Sequence, residues 1–80
     1  MIFTWDPKLS VAYMQFGEDS GQVADSHKIT DDIVIDVDSN GKVFGIELLN
    51  ANEQLKKRDG KFQFVNSLTN EKCEMLLPIP

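Results

Sequence analysis

The chain has one cysteine, Cys73, and one histidine, His27, in 80 residues. A single cysteine excludes an intrachain disulfide, and its use fits a reducing compartment. One histidine leaves Cys73 or a serine with one candidate base, and it is too few for an ordinary zinc site. No apolar run approaches the roughly 20 residues needed to span a bilayer, and the opening Met1-Ile2-Phe3-Thr4-Trp5 lacks the basic start of an export signal. On these absences a cytoplasmic protein, away from membranes, is expected. Phosphate loop, dinucleotide fingerprint, zinc spacing, internal repeat and low-complexity tract are all missing, and no cofactor is expected.

Positive charge is scarce as well, and unevenly spread. The net charge is −5, with residues 1–54 carrying three basic and ten acidic side chains. Such a body repels phosphate backbones and excludes duplex nucleic acid as a natural partner. Residues 55–80 reverse the sign, with a basic cluster at Lys56, Lys57, Arg58 and Lys61. That cluster reads as a solvated helix end, where cations are favoured, with an anion or partner contact as the alternative.

What the sequence does contain is ordinary globular material: 41% hydrophobic and 26% charged residues. At this length there is one domain, residues 1–80, and its core must be thin. A thin core favours adding apolar contact through a second copy, so a homodimer is expected.

Period-two alternation dominates the chain. Ile2–Trp5, Val11–Phe16, a weaker Val23–Ile29, Ile33–Asp38 and Val43–Leu49 read as strands, separated by turn material at Asp6–Ser10, 17–21 and 30–32. Asn40-Gly41 between two β-branched runs is the strongest hairpin signal present, read as a two-residue turn with both residues at positive φ. That turn pairs Val37 with Phe44, Ile35 with Ile46 and Ile33 with Leu48 on an apolar face. It pairs Asp38 with Val43, Asp36 with Gly45 and Val34 with Glu47 on the other. A slip of one residue would mix apolar and acidic partners on both faces. Beyond Leu49 the pattern becomes helical. Asn50 with Glu53 resembles a capping box, and a helix over about 51–58 should dock Ala51 and Leu55 on the sheet. Lys61–Val65 alternates again, and Cys73–Leu77 suits an edge strand or extended arm, closed by Pro78 and Pro80. The fold expected is α+β, mainly antiparallel β: a small twisted sheet of about five strands, one short helix and a C-terminal strand or arm. Trp5, Tyr13 and the phenylalanines are assigned to the core, and Cys73 to a small apolar filler.

Two patterns suggest chemistry. Asp36, Asp38, Asn40, Gly41 and, after five intervening residues, Glu47 match the spacing of a calcium loop. Their flanks alternate with period two, whereas that loop needs helices, so the segment is read as a hairpin and no metal site is assigned. The hairpin instead gathers Asp36, Asp38 and Glu47 on one face, with Asp36 and Glu47 as diagonal neighbours. Paired carboxylates serve as acid and base where burial splits their pKa values, but a solvated acidic face is the simpler reading. No catalytic residue is assigned. A small ligand-binding domain or enzyme built on Asp36 and Glu47, with His27, is the alternative. Gly45, opposite Asp36, leaves room above the strand for a side chain from elsewhere.

One resemblance adds to this. Trp5-Asp6, the strand Val11-Ala12-Tyr13-Met14, and Asp36-Val37-Asp38 with Gly41 are similar to a family catalogued as domain of unknown function 2283. The match continues through Val43-Phe44-Gly45-Ile46-Glu47-Leu48-Leu49-Asn50-Ala51 and covers residues 4–51. The chain departs from the family pattern at Trp5, Val11 and Ala12, and the resemblance carries nothing about 52–80, the helix and C-terminal arm. It implies a small prokaryotic β protein and brings no catalytic residues. Some relatives are thought to be encoded beside small toxin-like proteins, which implies an antitoxin-type role. The expectation is therefore a non-enzymatic protein-interaction module, with a basic protein as partner.

Overall fold

The structure is a computed structural model, and it describes residues 1–17, 22–56 and 61–76. Strands β1 (Ile2–Asp6), β2 (Val11–Gln15), β3 (Asp25–Thr30), β4 (Ile33–Val37) and β5 (Val43–Leu49) precede one helix, α1 (Ala51–Lys56). Two further strands follow, β6 (Lys61–Val65) and β7 (Lys72–Leu76). The first five form one sheet in the order β1-β2-β5-β4-β3, and the last two form a separate hairpin. Every pairing is antiparallel. The protein is thus mainly antiparallel β with one short helix, as the alternation predicts. The third strand begins two residues later than Val23, where Asp25 starts the ladder with β4.

The central hairpin keeps the expected register over most of its length by a different route. Ile33 pairs with Leu48, Val34 with Glu47, Ile35 with Ile46 and Asp36 with Gly45, but Val37 pairs with Val43 rather than Phe44. The turn is not the two-residue kind. Only Gly41 takes positive φ, at 79°. The loop holds three residues, Ser39 to Gly41, closed by Asp38 N–H donating to the Lys42 carbonyl at 2.8 Å and Gly41 N–H to the Asp38 carbonyl at 3.0 Å. The cause is Asp38, whose Oδ1 accepts from the amides of Asn40 at 2.8 Å and Lys42 at 3.0 Å. A carboxylate that binds its own turn favours the longer loop, ended by one left-handed glycine. The extra loop residue would throw the strands out of register, and a bulge at Phe44 takes the shift back. Hydrophobic pattern therefore fixes which face each side chain takes, and loop and bulge adjust to it.

The helix is capped from a distance. Asn50 lies at φ 54°, not in the extended conformation of an N-cap. The Ser10 carbonyl accepts from Ala51 N–H at 2.8 Å, and Ser10 Oγ accepts from Asn52 N–H at 3.0 Å. Glu53 closes no capping box. Ser10, at the end of the β1–β2 turn, thereby ties that turn to the helix start. Ala51 is fully buried and Leu55 half-buried, so the expected docking holds. Residues 57 and 58 of the expected helix, and Leu77, Pro78 and Pro80, lie outside the described residues.

Little is enclosed. Ala12 and Ala51 are the buried hydrophobic residues among those described. The aromatics expected in the core are not fully covered: Phe3, Phe16, Phe62 and Phe64 are exposed, and Trp5 and Tyr13 are half-buried. A single sheet with a helix of about two turns cannot roof so many large side chains. Cys73, expected as filler, is exposed on β7 opposite Phe64.

Candidate functional site

Register divides the sheet into two unlike faces, because neighbours in a strand point to opposite sides. One carries Thr4, Tyr13, Gly45, Glu47, Asp36 and Ser26 in adjacent rows. The other carries Phe3, Met14, Ile46, Ile35 and His27 in one such row, with Trp5, Ala12, Leu48 and Ile33 in the next.

On the polar face the sequence's gap at Gly45 is filled. Tyr13 on β2 crosses β5 at that glycine, where any Cβ would collide with its phenol end. Its hydroxyl donates to Asp36 Oδ2 at 2.7 Å, and Ser26 Oγ donates to Asp36 Oδ1 at 2.6 Å. Three side chains thus brace β2, β4 and β3 across a strand that contributes only backbone. The Tyr13 pKa is pushed from 10.0 up to about 12, first by desolvation, then by the hydrogen bond to Asp36 and the negative charges of Asp36 and Glu47. A phenol held this way is a donor and stays protonated across the physiological range.

The sequence-derived candidates are only partly brought together. Asp36 and Glu47 are diagonal neighbours as expected. Both Asp36 oxygens, however, accept hydrogen bonds from Tyr13 and Ser26, and Asp38 serves the turn amides instead of joining them. The calcium-loop set Asp36, Asp38, Asn40 and Glu47 does not converge, and no cluster able to hold a metal occurs among the described residues. His27 pairs with Asp25 at 3.2 Å on the outer strand, with its side chain 56% exposed. It lies on the face opposite Asp36 and Glu47, so the three form no common site. Two recesses, of about 230 Å³ beside Phe64, Asn66 and Cys73 and about 120 Å³ at Phe3, Met14, Phe62 and Met75, lie below the usual 300–1,000 Å³ of small-molecule pockets.

The apolar face was missed as a site by sequence reasoning, which treated it as core. α1 covers its Ala12 end, with Trp5 Nε1 donating to Asn52 Oδ1 at 2.9 Å. Phe62 of the β6–β7 hairpin meets Phe3 with ring centroids 6.4 Å apart. Over β4 and β5, Ile33, Ile35, Val37 and Ile46 stay only half-buried. The signal available in sequence was arithmetic: too many large apolar residues for one layer of cover.

No described helix is long and apolar enough to cross a membrane. Comparison with curated proteins and with solved structures gives no significant match to either. A family profile matches residues 2–52, from β1 through the start of α1, leaving β6 and β7 outside. The matched segment is the braced sheet with its distant helix cap, and on it the chain belongs to the family described as Protein of unknown function (DUF2283).

Proposed function

We propose that the protein is a non-enzymatic interaction module that engages a basic protein through its acidic sheet body, in the manner of an antitoxin. The observation that carries this reading is charge placement. Residues 1–54 hold ten acidic against three basic side chains, and Asp32, Glu47 and Glu53 have no cationic partner among the described residues. A concentrated field of one sign steers a partner of the other sign and speeds encounter. The candidate acid–base pair favours no chemistry: Asp36 is engaged by Tyr13 and Ser26, and neither described recess is large enough to enclose a typical substrate.

The test is affinity purification from the native host at low and high salt. The expected result is one strongly basic protein, released as salt rises, and bound at least about tenfold more weakly by a Glu47→Lys, Asp32→Lys double variant. Recovery of the chain alone at low salt, or of an acidic partner indifferent to salt, would sink the reading.

A further inference from the structure

The molecule is too open for its mass. A folded monomer of 9.0 kDa exposes about 4,900 Å² by the usual scaling, whereas this chain exposes 6155 Å². Its radius of gyration is 14.0 Å, against about 12 Å expected for 80 compact residues. The excess of roughly 1,300 Å² exceeds the ≈ 800 Å² that each partner gives to a standard interface, and falls within the roughly 1,000–2,500 Å² that each partner gives to an obligate one.

Part of the surface left open is an apolar sheet face whose central side chains are only half-buried. Ile33, Ile35, Val37 and Ile46 lie side by side on β4 and β5. Phe3 joins that face to Phe62, and the hairpin carries it on through Phe64 and Met75, which are 62% and 61% exposed. In the hairpin's register Phe62 pairs with Met75 and Phe64 with Cys73, so these four share one side. Patches of this kind mark association sites. The carboxylates of Asp36 and Glu47 point the other way.

We propose that a second copy of this chain covers the apolar face, the two five-stranded sheets stacking through Ile33, Ile35, Val37 and Ile46 about a two-fold axis. A second copy fits for three reasons. The missing burial is the size of one protomer's share of such an interface. Two identical apolar sheet faces are self-complementary and stack about 10 Å apart. The centre of the face carries no charge, with His27 and Asp25 at its margin, so like charges are not forced together. Stacking turns both polar faces outward. The dimer goes beyond the reading above and does not depend on it.

Sedimentation equilibrium of the full chain should give twice 9.0 kDa at micromolar concentration. Ile35→Lys should weaken association by about a hundredfold or more, since both copies lose a central contact. Val34→Lys, one residue along on the opposite face, should leave it unchanged. If Ile35→Lys does not fold, the unaltered chain still decides the matter. Mixed isotope labelling should give intermolecular methyl contacts among Ile33, Ile35 and Val37, and none to Val34 or Leu49. A species of monomer mass throughout the concentration range would overturn the proposal. So would intermolecular contacts confined to the β1 edge or to the Tyr13 face.

Discussion

On one side of the five-stranded sheet, Tyr13 reaches over Gly45 to Asp36, Ser26 reaches Asp36 from the next strand, and each group meets a partner within its own chain. On the other side, Ile33, Ile35, Val37 and Ile46 lie in rows whose only described cover is a short helix at one end and a hairpin touching Phe3. Hydrogen bonds are directional and close locally. Apolar area has no such stopping rule and asks only for more surface. A small sheet can finish the first task alone and cannot finish the second.

Substitutions on each side should report that contrast. The largest effect belongs to Gly45→Val. Its side chain would displace the Tyr13 phenol and break the bond to Asp36, for about 3 kcal/mol lost in urea denaturation. That loss should be the same at every protein concentration. Ile35→Ala should cost about 2 kcal/mol at high concentration, and less as the protein is diluted. A loss independent of dilution would erase the distinction between the faces.

Tyr13→Phe removes one hydrogen bond to a charged acceptor, about 1.5 kcal/mol. Because Tyr13 is the only tyrosine, phenolate absorbance reads it alone and should show a midpoint near 12 in the folded protein. A pKa raised on folding means the protonated form is favoured by the native state. Its contribution is therefore whole below pH 10 and declines as pH climbs towards about 12. The Tyr13→Phe variant should lack that component of the alkaline decline. Ser10→Ala, which strips the hydroxyl from the start of α1, should cost about 1 kcal/mol by thermal melting. The smallest effect is expected from His27→Ala, within about 0.5 kcal/mol, because an exposed ion pair stabilises little.

The alternation of Ile33–Val37 against Val43–Leu49 was enough to assign faces and most of the register, since a one-residue slip would have mixed acids with aliphatics. The turn itself was misjudged. Asn40-Gly41 signals a tight bend, but Asp38, two residues before Asn40, binds the amides of Asn40 and Lys42 and enlarges the loop. Likewise Asn50 and Glu53 spell a local cap, and Ser10, remote in sequence, supplies the real one. The brace on Asp36 was half legible: Gly45 announced a vacancy, but nothing local named Tyr13 as its occupant. Side chains that meet across distant segments leave no periodic trace.

The three-residue bend and the extra residue at Phe44 cancel each other, and that bears on how this segment tolerates changes of length. Val37 pairs with Val43 and Asp36 with Gly45, so losing Phe44 alone would make those pairs consecutive and leave every later side chain on its own face. Losing one loop residue alone would tighten the bend beyond the Asp38–Lys42 closure and leave the same ladder in place. A residue added or lost between Gly45 and Leu49 would instead turn part of the strand over, so this stretch of polypeptide absorbs changes of length at its bend and not further along.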